Sequence, residues 1–293
     1  MGHALRISII GGAGKMGQWF ARLFANEGME VAISDNRFKE LREGKIILTG
    51  ELMTNARAIS KAEVVLISVP IDSFEETVEE MSRYVQPGQI VIDISSIKVR
   101  PVELMHKYIA KALVLGVHPM FGPGAVDLVN KNFILTPTND KEKSLAKRVE
   151  TQLNKKGARV SQMSPDEHDE LMAIILGLPS FIAIISADTL LSLNKMQKTR
   201  NISGSTYKLL LMLTESVVTK DADLYASLQM TLPNITEIEN LFLNKAASWV
   251  DMVKNRDKQK LIAKLHGLEN NFKKENPDYD DDYANMYKVI EGL

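Results

Sequence analysis

The feature that most restricts this fold lies near the start of the chain. Leu5–Ile10 is a short, largely apolar run. Gly12-Ala13-Gly14-Lys15-Met16-Gly17 follows almost at once, and Met16, Phe20, Leu23 and Phe24 then recur at helical spacing. The segment therefore reads as strand, glycine turn and amphipathic helix. Glycines in that G-x-G-x-x-G pattern permit a tight turn, close backbone approach to a diphosphate and close contact of helix with strand. The new helix offers unpaired N–H groups and the positive end of its dipole to an anion. Gly12, Gly14, Lys15, Met16 and Gly17 are thus expected to hold a dinucleotide. Asp35 follows the second apolar run, Glu30–Ser34. A carboxylate there accepts hydrogen bonds from an adenosine ribose and repels a 2′-phosphate. Arg37, two residues on, is suited either to a 2′-phosphate or to solvent. NAD is favoured over NADP because of Asp35.

More strands alternate with helical stretches: Val64–Val69, Gln89–Ile94, Ala112–Leu115, Phe133–Thr136 and Ala158–Ser161. Such alternation implies crossover units and a parallel sheet. Asp72 is expected to open a helix with Glu75 as its reciprocal cap, and Asn139 or Asp140 to open another that runs toward Lys156. The character changes at Ser164-Pro165-Asp166-Glu167, a strong helix start. From there no strand pattern appears, and Pro233 and Pro277 punctuate helical segments. The expected fold is an α/β Rossmann-type domain with a parallel sheet over residues 1–163, followed by an all-α domain over residues 164–293.

The chain has 293 residues, 36 Lys+Arg, 37 Asp+Glu and no Cys. The balanced charge argues against a general nucleic-acid binder. The lack of Cys excludes disulfides, thiolate metal sites and a Cys nucleophile, and suits a reducing, cytoplasmic setting. No HxxxH, HExxH or Asp-rich loop suggests a metal. The N-terminal residues lack the charged and long apolar regions of a signal peptide. Leu171–Ala187 carries no charge, but it is short for a membrane span and is interrupted by Gly177 and Pro179. It is expected to be a buried helix at a subunit interface, giving a homodimer and no membrane contact.

Three loops at carboxyl ends of strands concentrate chemistry. Val69-Pro70 is placed to shape a loop over the cofactor, or simply to end a strand. Asp93-Ile94-Ser95-Ser96-Ile97-Lys98 carries two hydroxyls and an ammonium; Ser95 or Ser96 is alternatively a helix cap, and Lys98 is suited to a substrate carboxylate. His118 lies in His118-Pro119-Met120-Phe121-Gly122-Pro123-Gly124. Imidazole takes protons near neutral pH, so His118 is a candidate base. His168, beside Asp169 at a helix start, reads as structural.

GGxGxMG, DISSIK, GVHPMFGPG, SPDEHDELM and DLYASLQM together resemble prephenate dehydrogenases of tyrosine biosynthesis, over nearly the whole chain. The resemblance implies a dinucleotide-binding domain, a helical dimerisation domain and NAD(P)-dependent oxidative decarboxylation of prephenate or a close cyclohexadienyl analogue, a small-molecule substrate. It implies His118 as acceptor of the substrate hydroxyl proton, Ser96 as its hydrogen-bonding partner and Lys98 as substrate-binding. Two positions depart from the family pattern. Ser180 stands where many relatives have a substrate-binding His, and Ser216 where they have a carboxylate-binding Arg. Lys98, Arg100, Lys208 and Lys220 are candidates to replace that guanidinium. Two other readings are dehydrogenation of another small hydroxy acid and a non-catalytic NAD(P)-binding regulator. The first normally needs a Lys early in the helical domain, and none occurs between Arg159 and Lys195.

Overall fold

The computed structural model describes residues 4–43, 48–218, 221–276 and 278–292; Lys220 and Pro277 lie outside them. The chain divides into two compact units, Met1–Met172 and Ala173–Leu293. The first contains an eight-stranded sheet of β1 (Arg6–Ile10), β2 (Glu30–Ser34), β3 (Glu51–Leu52), β4 (Val64–Ile67), β5 (Ile90–Asp93), β6 (Leu113–Pro119), β7 (Asn132–Thr136) and β8 (Arg159–Gln162). Their order is β3-β2-β1-β4-β5-β6-β7-β8. The helices of this unit are α1 (Lys15–Asn26), α2 (Phe38–Arg42), α3 (Asn55–Lys61), α4 (Phe74–Ser82), α5 (Val99–Tyr108), α6 (Asp140–Lys155) and α7 (Pro165–Met172). The chain leaves β1 toward β2 on one side and resumes at β4 on the other. That reversal is the switch point at which such sheets bind ligands, beyond the strands' carboxyl ends.

β-Strand alternation sends successive residues to opposite faces. Ile7, Ile9 and Ile33 join Trp19, Phe20 and Leu145 in one core. Ile10, Val65 and Ile67 join Phe74, Val78 and Met105 in the other. The sheet therefore has apolar cover on both faces.

The sheet is parallel over most of its width, as expected, with one antiparallel pair. β1 through β6 pair in parallel, but β7 is antiparallel to β6, with His118 opposite Ile134 and Pro119 opposite Phe133. β8 is parallel to β7. Residues 120–131 join β6 to β7 without a helix, so the chain returns directly rather than crossing over. β6 also runs to Pro119, beyond the expected end at Leu115, so His118 lies within a strand rather than in a loop. β4 ends at Ile67, before Val69-Pro70.

Helix starts follow the sequence unevenly. Asn139 Oδ1 accepts from Lys141 N and Glu142 N, both at 3.1 Å, and opens α6. Ser164 Oγ accepts from Glu167 N at 3.1 Å, with Pro165 as the first residue of α7. The Asp72–Glu75 cap does not form: Ile71–Ser73 is a 3₁₀ turn, α4 begins at Phe74, and Glu75 pairs with Arg100 at 2.5 Å. The division by compactness falls after Met172, because α7 packs on α5 and β7 and bonds to both α5 and β6.

Among its described residues the second unit is helical throughout. A π turn, Ala173–Gly177, leads into α8 (Leu178–Ser192), followed by α9 (Met196–Asn201), α10 (Ser205–Val218), α11 (Ala222–Thr231), α12 (Ile235–Lys254), α13 (Lys258–Glu275) and α14 (Asp282–Glu291). Gly177 lies close under α12: a Cβ there would sit 2.4 Å from Ile235 Cδ1, so a side chain would require Ile235 to move. The uncharged stretch 171–187 is not a buried helix within this chain. Met172, Ala173, Gly177, Ser180 and Ala183 are buried, but Ile174 and Ile185 are 53% and 47% exposed, and Ile175 and Ile184 are exposed as well. By length and composition alone, Pro165–Ser192 is the one helix among the described residues long and apolar enough to cross a membrane.

The Asn139 cap has a measurable consequence. Asn139→Ala leaves two α6 N–H groups without their acceptor and should lower stability by about 1 kcal/mol. Thermal denaturation reads this directly, and an unchanged midpoint would show that water replaces the cap without loss.

Candidate active site

Each motif glycine has its own physical reason. A Cβ on Gly12 would lie 2.6 Å from Ile33 Cγ2 and 2.8 Å from Ile9 O. On Gly17 it would lie 2.7 Å from Gly11 O. These two glycines press the turn and α1 against the sheet. Gly14 is different: its Cβ would meet only Gly11 O, at 3.2 Å. Gly14 is the residue before α1, in extended conformation and without a side-chain cap. It therefore borders the open N–H end of the helix, where a diphosphate fits. Gly11 (φ 75°) closes the turn, and Val69 Cγ1 would lie 2.8 Å from a Cβ there, so Val69 does flank the glycine turn. Pro70 is exposed just beyond. Lys15 is exposed and Met16 half-buried at the start of α1.

Asp35 and Arg37 are not independent. Arg37 Nε and Nη2 donate to Asp35 Oδ1 and Oδ2 at 2.9 and 3.2 Å, and Ala13 N donates to Oδ2 at 3.1 Å. Burial pushes Asp35 upward, but hydrogen bonds from Arg37 and Ala13 outweigh it and hold the carboxyl below its usual value. Asp35 thus secures the glycine turn and keeps Arg37 folded back.

The second cluster gathers at the carboxyl ends of β5 and β6. Asp93 ends β5 and lies opposite Gly116 of β6, two residues before His118. Lys98 is fully buried, and its Nζ bonds Asp93 Oδ2. Its stem crosses Gly116, where a Cβ would stand 3.1 Å from Lys98 Cδ and 2.4 Å from Thr136 Oγ1. The expectation that Lys98 meets a substrate carboxylate is therefore corrected: the ammonium faces the protein interior, already paired. Burial lowers its pKa, opposed by the attraction of Asp93.

The start of α5 is capped from elsewhere in the chain. Lys98 N and Val99 N donate to Asp169 Oδ1 and Oδ2 at 2.7 and 2.9 Å. Ser95 does not cap it; its hydroxyl donates to Ile97 O at 2.8 Å. The half-buried Ser96 side chain takes no partner among the described residues and remains available. Asp169 Oδ1 also meets His168 Nδ1 at 2.7 Å, and His168 Nε2 meets His118 Nδ1 at 2.8 Å. His168 is fully buried, as a structural histidine would be, and it is also hydrogen-bonded to the candidate base His118. Among the described residues His118 Nε2 has no hydrogen-bond partner, and it is not one of the buried, unpaired side-chain atoms, which among those residues are Ser8 Oγ and Gln229 Oε1. Burial holds His118 well below the usual imidazole range, and the charges of Lys98 and His168 push the same way. The unit thus presents a neutral imidazole with one nitrogen fixed and the other open.

The segment after His118 is held in place by aromatic contacts. Trp19 Nε1 donates to Ala125 O at 2.7 Å, and Phe121 meets Trp19 and Phe133 edge to face at 4.9 and 5.4 Å. In the second unit, Ser180 is buried within α8. It donates to Leu176 O and Gly177 O and accepts from Gln229 Nε2 at 2.8 Å. That geometry links the π turn to α11 and gives Ser180 no opening toward a ligand. Ser216 bonds back to Leu213 O, Lys208 is exposed on α10, and Arg100 is engaged with Glu75. Gly116, Asp93, His168 and Asp169 escaped sequence reasoning as site residues. The neighbouring His168-Asp169 pair at a capped helix start was the one local signal.

Residues 20–162 match the family model for the nucleotide-binding domain of prephenate dehydrogenase, and residues 164–267 match that for its dimerization domain. The chain belongs to the prephenate dehydrogenase family. It is 33% identical over 265 residues to a probable arogenate/prephenate dehydrogenase of Methanocaldococcus jannaschii, covering 88% of this chain and 59% of that protein. It is 27% identical to the T-protein of Haemophilus influenzae, covering 89% of this chain and 65% of that one. The chain thus spans roughly three-fifths of the length of these curated relatives. Among solved structures, prephenate dehydrogenase from A. aeolicus with hydroxyphenyl propionate and NAD+ superimposes with a TM-score of 0.73 at 21% identity, covering 94% of this chain and all of that one. Synechocystis arogenate dehydrogenase gives 0.68 at 17%, with the same coverage. At these identities the structures establish a common fold.

The glycine geometry separates two effects. Gly14→Val should abolish or strongly weaken dinucleotide binding while leaving the thermal midpoint near wild type. Gly12→Ala should lower the midpoint instead, since its Cβ meets the backbone oxygen of Ile9. Calorimetric titration with NAD beside thermal denaturation distinguishes them; unchanged NAD affinity in Gly14→Val would remove the site from this turn.

Proposed function

We propose that this family member is an NAD(P)-dependent dehydrogenase of prephenate or of arogenate, with NAD as the preferred cofactor. The observation that carries the reading is the open Nε2 of a neutral His118 at the sheet's carboxyl edge, in the same unit as the glycine turn and as Ser96, which follows the adjacent strand β5. Bound nicotinamide would supply the hydride acceptor. His118 Nε2 would take the proton of the substrate's ring hydroxyl, and Ser96 Oγ would hydrogen-bond that hydroxyl. As hydride leaves the carbinol carbon, the bond to the ring carboxyl breaks. Its electrons complete the aromatic ring, and carbon dioxide departs. Burial of His118 favours this chemistry, because a neutral imidazole is required at the outset. Glycines 12, 14 and 17 and the α1 N-terminus would hold the diphosphate. Asp35 would meet the ribose, and its carboxylate and paired Arg37 favour a cofactor without 2′-phosphate. The relative in M. jannaschii bears both substrate names, and the A. aeolicus protein holds NAD+. The expected setting is the cytoplasm, as for a biosynthetic dehydrogenase.

Reduced-nicotinamide absorbance should rise with prephenate or arogenate in the presence of NAD. Lack of turnover with both substrates and both cofactors would overturn the proposal. In His118→Asn, kcat should fall by roughly 10²–10⁴-fold, the usual contribution of a general base, with NAD affinity retained. The pKa of His118 is lowered, so its neutral form persists below about pH 6.5; the activity should decline only at more acid pH. A fully active His118→Asn enzyme would exclude the mechanism.

The second unit's apolar surface supports a homodimer, in keeping with the dimerization-domain match. Ile174, Ile175, Ile184 and Ile185 leave an apolar strip that a second copy would cover. Light scattering should give a dimer at micromolar concentration, and Ile184→Glu combined with Ile185→Glu should shift it toward monomer. A wild type that is monomeric throughout would contradict this assembly.

A further inference from the structure

We propose that His168 decides which nitrogen of His118 is left bare, and that Asp169 holds His168 in the tautomer that does so. The effect on rate rests on the reading of His118 as the base; the effect on the tautomer stands independently of it.

The argument is one of donors and acceptors. Asp169 accepts from Lys98 N and Val99 N, so both carboxylate oxygens are directed at donors. The third atom to reach it is His168 Nδ1, at 2.7 Å from Oδ1. Against that oxygen Nδ1 must carry its proton. In a neutral ring the other nitrogen is then an acceptor. His168 Nε2 lies 2.8 Å from His118 Nδ1, so His118 must donate there. Its own Nε2 is consequently without a proton, and this is the nitrogen left unbonded. A proton placed on His168 Nε2 would invert the sequence. His168 would then donate to His118 Nδ1, and a neutral His118 would carry its proton on Nε2, where no base would remain.

The surroundings favour the first arrangement. The charged or titratable groups facing this pair are Lys98 and Asp93 at the α5 and β5 side and Asp169 on α7; the β7 residue opposite His118 is Ile134. Burial lowers the pKa of both imidazoles, and the Lys98 charge adds to this in both. His168 is completely buried, so water cannot substitute for either of its bonds. His168 is thus a positioning residue for His118. When His118 gains a proton at Nε2, its Nδ1–H stays bonded to His168, and the Asp169 carboxylate lies one ring further on to stabilise the cation.

Two substitutions in the full chain separate this role from simple packing. His168→Gln presents a side-chain carbonyl that can accept from His118 Nδ1. His168→Phe fills much of the same space and cannot accept. Long-range ¹H–¹⁵N correlation spectra of histidine-labelled protein report the proton on each imidazole nitrogen. In the wild type, His118 should show a protonated Nδ1 and a bare Nε2 at neutral pH. His168→Gln should keep that pattern and much of the rate. His168→Phe should give a mixture of tautomers, a kcat lower by about tenfold or more, a displaced acid limb of the pH profile and unchanged NAD affinity. A wild-type His118 protonated at Nε2 would overturn the proposal, with no variant needed. So would equal loss of kcat in the Gln and Phe variants with the His118 tautomer unchanged. Absence of turnover in the wild type would count against the dehydrogenase reading instead, and the tautomer would still decide this one.

Discussion

The buried pair of Lys98 and Asp93 governs the arrangement of the first unit's chemistry. Both side chains are fully excluded from solvent. Isolated charges so placed would be very costly, and losing one partner of such a pair costs about 3–5 kcal/mol. The pair therefore fixes a path. Lys98 must begin α5 where its stem can reach back to the end of β5, and β6 must carry glycine where that stem crosses it. A Cβ at position 116 would collide with Thr136 Oγ1 at 2.4 Å as well as crowd Lys98. With α5 set in that position, its first N–H groups need acceptors, and Asp169 supplies both from α7. His168 arrives with Asp169, and His118 meets it from β6. One internal ion pair thus determines where helix, strand and imidazole come together.

Much of the fold is legible in local sequence, and the reasons are local. β2 occupies Glu30–Ser34 as its pattern implies, Asn139 caps α6, and Ser164-Pro165 begins α7. The glycine turn is legible because steric demands at Gly12 and Gly17 arise within one strand–turn–helix unit and its neighbour β2. Strand direction is not written in apolar periodicity, which is why β7 reads as parallel until its register is seen. β3, only two residues long, offers no pattern at all. His118-Pro119 reads as the start of a loop, yet antiparallel pairing with β7 carries β6 through it.

The candidate site was legible in its residue types and less so in their directions. Lys98 itself does not tell whether its ammonium faces a ligand or the interior; that depends on Asp93 and Gly116, while its backbone N–H is held by a carboxylate 71 residues away. His168 reads as structural because its partner His118 lies 50 residues earlier. Asp35 and Arg37 show the same limit at short range. Asp35 alone suggests a contact with the adenosine ribose and Arg37 alone a 2′-phosphate or solvent, and together they first satisfy one another. Long-range donors and acceptors decide what a side chain has left to offer, and one stretch of sequence cannot supply them.

The interposed imidazole also resolves a conflict that any neutral base in this position would face. A carboxylate bonded directly to His118 would orient it well but would favour its protonated form. Here the hydrogen bond that His168, the inner ring, donates to Asp169 raises its pKa against its burial. His118 itself feels burial and the positive charge of Lys98, and no carboxylate among its principal influences. Orientation thus passes through two hydrogen bonds, whereas the charge that would favour protonation stays one ring away. In the proposed reaction the base is therefore neutral before the hydride leaves. It still has a hydrogen-bonded path to a carboxylate once it has taken the proton. A direct His–Asp pair would give stronger support to the cation, but the base would begin with a higher pKa and lose its neutral form sooner as the pH falls.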